Sequence, residues 1–199
     1  MMNIPAPEII DPASVPSLRW GVIGPGGIAE VFVAACQKHT AQKFHAVASR
    51  TPGRADEFAK KFEIPKTHDS YAALVGDSEI DAVYIASWQA EHFEHAMLAL
   101  NAGKHVLVEK PITVLPEHAR EIFALAKEKG LLAMEAMWTR YLPQSTIIRK
   151  LLAEGALGEP QLFTANFSVD NRHIARLWQK GGGSIIYDMG IYPIAMSQQ

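Results

Sequence analysis

The sequence has one cysteine, no long apolar run and no surplus of either charge, and each shortage excludes something. Cys36 cannot form an internal disulfide, and its place on a helix-like segment suggests a packed thiol rather than a nucleophile. No apolar run approaches the ~20 residues needed to span a bilayer, so no membrane partner is expected. Lys and Arg number 19 against 21 Asp and Glu, with no basic cluster, so nucleic acid is not an expected partner. Residues 1–17 are proline-rich, without a basic start or a long apolar core. They read as a disordered arm rather than a secretory signal, which points to a cytoplasmic protein. No metal motif is present: His92 and His95 share a helix face, but nothing supplies a third ligand.

The 199 residues, 48% apolar, suffice for one domain or one and a half. They are organised around Trp20-Gly21-Val22-Ile23-Gly24-Pro25-Gly26-Gly27-Ile28-Ala29. A short buried strand runs into Gly24-x-Gly26-x-x-Ala29 and then into a helix, the arrangement of a dinucleotide-binding turn. A pyrophosphate lies against the first helical turn, where backbone N–H groups and the positive dipole end face it. Gly24 allows the tight turn, Gly26 the close approach of phosphate, and Ala29 the packing of helix on strand. Gly24, Gly26, Gly27 and Ile28 are therefore candidate cofactor contacts.

Further along, apolar runs alternate with helical patterns. Strands are expected at about 20–23, 43–48, 82–87, 105–108 and 131–136, with helices at about 27–39, 54–62, 91–102 and 116–129 and a short amphipathic piece at 70–75. Ile28, Val31, Phe32 and Ala35 should face the sheet. The alternation predicts an α/β Rossmann domain with a doubly wound parallel sheet over residues 18–140. An acidic residue at the second strand end would bind the ribose 2′-hydroxyl of NAD, whereas arginine accommodates the 2′-phosphate of NADP. Ser49, Arg50 and Arg54 stand there, so NADP is expected in preference to NAD.

Beyond Arg140 the pattern changes. Pro143 opens a helix to about Glu154, and residues 162–169 then alternate like a strand with one wet face. Gly181-Gly182-Gly183 reads as a flexible lead into a helix capped by Ser184, which Pro193 should kink or end. A domain boundary is therefore expected near Arg140, with residues 141–199 beyond it.

Gly24-x-Gly26-x-x-Ala29, Glu109-Lys110-Pro111 and Gly181-Gly182-Gly183-x-x-x-x-Asp188-x-Gly190-x-Tyr192-Pro193 together resemble the glucose–fructose oxidoreductase / inositol dehydrogenase (Gfo/Idh/MocA) family. Met134-Glu135-Ala136-Met137-Trp138-Thr139-Arg140-Tyr141 and the tyrosine at 192 resemble its dihydrodiol and NADP-linked xylose dehydrogenase branch. The resemblance implies a dehydrogenase that moves a hydride between nicotinamide and a hydroxyl-bearing carbon of a sugar or cyclic diol. It implies that Lys110 polarises the substrate oxygen, Tyr192 accepts the proton, with His92 the alternative, and Asp188 orients the base or binds hydroxyls. It also implies that Glu109 lies near the nicotinamide ribose, that His92 touches the cofactor, and that Trp138 walls the nicotinamide or substrate. Where many members have proline-asparagine after the third of the expected strands, this chain has Trp88-Gln89.

The resemblance implies that residues 141–199 are the incomplete start of an α+β substrate domain: the family's second domain is a large antiparallel sheet, of which residues 162–169 would be the opening strand. The chain stops at Met196-Ser197-Gln198-Gln199, which reads as a truncation. On that reading it binds NADP but turns over poorly and associates through the unpaired strand, while a full-length form forms homo-oligomers through the C-terminal domain. The alternative is a non-catalytic dinucleotide-binding or interaction protein of the same fold.

Overall fold

The computed structural model describes residues 3–180 and 183–198. The chain divides into two units: Pro12–Ala136, and Met137–Gln199 together with Met1–Asp11.

In the first unit, β1 (Arg19–Ile23), β2 (Lys43–Ala48), β3 (Lys66–His68), β4 (Ala82–Ile85), β5 (His105–Val108) and β6 (Ala133–Glu135) form one sheet. All pairings are parallel, in the order β3-β2-β1-β4-β5-β6. The strand order reverses between β1 and β4, which in open α/β sheets marks where ligands bind. β3 was not expected from sequence: Lys66-Thr67-His68 is polar and short, and pairing with β2 makes it a strand.

Helices cover both faces. α1 (Gly27–His39) and α2 (Arg54–Phe62) bury Ala29, Val33, Phe58 and Phe62 against Val22, Val47 and Tyr84. α3 (Tyr71–Gly76), α4 (His92–Asn101) and α5 (Pro116–Glu128) bury Leu74, Leu100 and Ile122 against Ile23, Val83 and Ile85. Adjacent strand residues therefore serve opposite cores, which is why these strands are apolar throughout. Ser70 caps α3, its Oγ accepting from the Ala73 amide at 3.1 Å.

The buried stripe of α1 is not the expected one. Ala29 and Val33 are buried with Phe32 and Cys36 packed beside them, whereas Ile28 and Val31 are 48% and 63% exposed and Ala35 is exposed. Both stripes have helical spacing, and the small Ala29 lets the helix approach β1 closely, which selects the phase. Burial pushes the Cys36 thiol up to about 11, as befits a packed group.

In the second unit, α6 (Pro143–Ala153) and α7 (Ile191–Ser197) are the regular elements. The break falls before Met137 rather than near Arg140, because the 3₁₀ turn Trp138–Tyr141 is bonded to α6. Ser145 Oγ donates to the Thr139 carbonyl at 2.6 Å and Arg149 to the Arg140 carbonyl at 2.7 Å. The N-terminal arm is not free either. The Glu8 amide donates to Thr146 Oγ1 at 3.0 Å, and Lys150 Nζ donates to the Ala6 carbonyl at 2.9 Å.

The strand expected at 162–169 does not form. A strand needs a ladder partner, and the described residues of this unit contain none. Leu162 and Val169 are 83% and 57% exposed. Gly181 and Gly182 lie outside the described residues. Ser184 does cap, its Oγ accepting from the Tyr187 amide at 3.3 Å. Pro193 sits inside α7 without ending it. A π turn, Ile186–Gly190, precedes the helix, and the Ile191 amide donates to both Ile186 and Met189. The Met189 carbonyl, which Pro193 cannot serve, is thereby satisfied.

Candidate functional site

At the carboxyl end of β1, Gly24 has φ +82°, and a Cβ there would stand 2.6 Å from the Ser87 amide nitrogen and 2.7 Å from the Ala86 carbonyl carbon. Glycine is required by backbone geometry and by the close approach of the β4 end. Before Gly26 and Gly27 the space is open: a Cβ on Gly26 meets only the Gly24 carbonyl oxygen at 4.0 Å, and one on Gly27 meets nothing. Among the described residues, no side chain caps α1. A helix start without a side-chain cap, with open space beside Gly26 and Gly27, fits a pyrophosphate.

At the end of β2, Ser49, Arg50, Thr51 and Gly53 line a shallow depression together with Thr67 and His68. Ser49 Oγ accepts from the Thr51 amide at 3.1 Å, which shapes the loop. The two arginines differ. Arg54 Nε donates to the Pro25 carbonyl at 2.9 Å and so braces the glycine turn. Arg50 extends outward, with its guanidinium paired to Glu91.

At the end of β5, the Glu109 amide donates to the Ile85 carbonyl at 2.9 Å, which continues the ladder beyond the strand. The Glu109 carboxylate accepts from Tyr84 Oη at 2.7 Å and from the Lys110 amide at 3.1 Å. Burial raises the Glu109 pKa, opposed by those hydrogen bonds and by the Lys110 charge. Burial, together with the Glu109 charge, also pushes the Tyr84 phenol far up, so it stays a proton donor to Glu109. The Lys110–Pro111 peptide is cis. Glu135 on β6 accepts from the Ile112 amide at 2.8 Å and ties down the chain after Pro111.

His92 begins α4. Its side chain is buried, with Nδ1 2.9 Å from the Pro111 carbonyl and Nε2 3.0 Å from the Ser87 carbonyl. Burial lowers its pKa, and the two carbonyls oppose this. A ring enclosed between two backbone acceptors joins the β4 and β5 loops. His95 lies one turn on, its Nδ1 2.8 Å from Ser87 Oγ and its ring edge-on to Tyr71. Burial, with Arg50 nearby, lowers its pKa to about 4.

The second unit brings Trp138 and Tyr192 together. Trp138 Nε1–H donates to Tyr192 Oη at 3.2 Å, and Phe167 packs on the Tyr192 ring at 4.9 Å between centroids. Asp188 is buried in the π turn and accepts from Arg176 at 3.1 Å. Lys110 belongs to one unit, and Asp188 and Tyr192 to the other.

Sequence reasoning missed three side chains here. Tyr84, which holds Glu109, lies in an apolar strand and reads as core. Arg176, which holds Asp188, lies in a short 3₁₀ turn that no periodicity announces, and Glu91, which holds Arg50, reads as an ordinary first-turn acid. No local pattern marks any of them.

A parallel sheet with a glycine turn at its switch point and an uncapped helix behind it defines a dinucleotide-binding α/β protein. Residues 18–137 match the model of the oxidoreductase family with an NAD-binding Rossmann fold, and residues 146–199 match the GFO/IDH/MocA C-terminal domain. The chain belongs to the Gfo/Idh/MocA oxidoreductase family. It is 38% identical to trans-1,2-dihydrobenzene-1,2-diol dehydrogenase of Mus musculus, over 88% of this chain and 54% of that protein. It is 36% identical to D-xylose 1-dehydrogenase (NADP(+)) of Hypocrea jecorina, over 89% of this chain and 51% of that one. Among solved structures, it resembles the 3-ketoreductase KijD10 of Actinomadura kijaniata, in complex with NADP and TDP-benzene, at a TM-score of 0.78 and 36% identity. That match covers 90% of this chain and 56% of that one. The chain spans about half the length of the relatives it matches.

Proposed function

We propose that this chain serves an NADP-dependent oxidation or reduction at a hydroxyl-bearing carbon of a sugar or cyclic diol. The observation that carries this reading is the carboxyl edge of the sheet, where the open glycine turn and the Glu109-Lys110-Pro111 strand end flank the switch point. The relatives' names supply the substrate class, a dihydrodiol and a xylose, and NADP.

Gly26, Gly27 and the first amides of α1 hold the pyrophosphate, and Arg50 holds the 2′-phosphate. The bound nicotinamide supplies the hydride-transfer chemistry. Lys110 donates a hydrogen bond to the substrate oxygen and stabilises the charge that develops there. Glu109, fixed by Tyr84, orients the loop that carries Lys110. Tyr192 exchanges the hydroxyl proton, while Trp138 steadies its phenol and Asp188 anchors the helix.

Cofactor titration by calorimetry is the test. NADP is expected to bind at least tenfold more tightly than NAD, and Arg50→Ala to remove most of that preference. Equal affinities in the unaltered protein would overturn the assignment.

A further inference from the structure

Glu91 stands at the start of α4, across the sheet edge from the β2 loop, and is 21% exposed; its partner Arg50 is 64% exposed. One carboxylate oxygen, Oε1, takes the guanidinium, and the other, Oε2, is buried with no hydrogen-bond partner among the described residues. A buried oxygen without a donor is costly. The arrangement therefore holds Glu91 against Arg50 without satisfying it fully. Tyr71 and His95 close the same neighbourhood, both within reach of the Arg50 charge.

We propose that Glu91 sets cofactor selectivity: its carboxylate holds the Arg50 guanidinium and competes with the cofactor's 2′-phosphate for it. This rests on the reading of Arg50 as the phosphate clamp. A phosphate monoester arrives with nearly two negative charges and needs the paired donors of a guanidinium. With Glu91 already engaged, the pair is close to neutral, and the phosphate must displace the carboxylate or share the cation with it. Two anions on one cation repel, so part of the phosphate's advantage is lost. NAD carries no charge at that position and does not compete. Glu91 thus narrows the gap between NADP and NAD, and the protein keeps the ability to use both.

Glu91→Gln preserves shape and removes the charge. It is expected to tighten NADP about tenfold and to change NAD less than twofold, both read by calorimetric titration, with far-UV circular dichroism confirming the fold. In an Arg50→Ala background the same substitution is expected to change NADP less than twofold, because there is nothing left to compete for. Weaker NADP binding in Glu91→Gln would show that the carboxylate buttresses Arg50 and would overturn the proposal. An equal gain with and without Arg50 would show repulsion that does not act through the guanidinium, and would overturn it too. If Arg50→Ala alone leaves the NADP to NAD ratio unchanged, the clamp reading fails first and this proposal falls with it. If Arg50→Ala removes the preference while Glu91→Gln changes nothing, only this proposal falls.

Discussion

The two units of this chain are built on opposite terms. Pro12–Ala136 buries two apolar layers on a six-stranded sheet, and its site-bearing loops are tied to strand ends by backbone hydrogen bonds. Among the described residues of the other unit there is no strand; its aromatic side chains pack locally, and much of its apolar surface is exposed. Sheet formation separates the two. Parallel strands pair the backbone groups of their neighbours and let alternate side chains serve two cores, whereas an isolated extended segment does neither. In the first unit the candidate cofactor groups stand on loops bonded to strand ends. In the second, Tyr192 is fixed by Trp138, Phe167 and its own helix.

The proposed proton-transfer and oxygen-polarising groups, one in each unit, give the largest expected effect. Lys110→Met and Tyr192→Phe should each lower kcat by about 10²–10⁴-fold with NADP affinity nearly unchanged, as steady-state turnover and cofactor titration would show. Near-normal turnover in Tyr192→Phe would move the proton-transfer role to another group.

Core packing sharpens the contrast. Phe58→Ala, at a position 4% exposed on α2, should cost about 3–5 kcal/mol in denaturant unfolding. Phe163→Ala, at 49% exposure in the other unit, should fall within about 0.5 kcal/mol of the parent. Comparable losses would mean that residue 163 is packed more tightly in solution.

Two glycines with positive φ make a finer comparison. Gly24→Ala meets both backbone strain and the β4 end, and should cost about 2–4 kcal/mol and weaken cofactor binding. Gly155→Ala, at φ +67° but facing open space, should show the strain alone, about 1 kcal/mol.

The last expected effect is a pH dependence of the sheet unit. His95 is held neutral, its pKa lowered by burial from the usual 6.5 to about 4, so the unfolded chain binds a proton that the folded one refuses. Its contribution is complete above about pH 6.5 and is lost as pH falls toward about 4. His95→Gln should flatten the stability profile in that window; an unchanged slope would assign it to other groups.

The sequence by itself determined the sheet unit and its glycine turn. Helices 27–39 and 54–62 and strands 43–48 and 105–108 fall at the expected bounds, because periodicity, caps and glycine stops act over a few neighbouring residues. It also marked Gly24, whose need for positive φ is local. The tertiary structure alone decided which stripe of α1 faces inward, that Lys66–His68 becomes a strand, and that residues 162–169 do not. It alone decided that His92 is enclosed between two carbonyls, that Tyr84 holds Glu109, and that Glu91 reaches Arg50 across 41 residues of chain. Each of these depends on a partner distant in sequence: a ladder, a carbonyl or a counter-charge stabilises a residue only once the fold has brought it near, and no local pattern encodes that meeting.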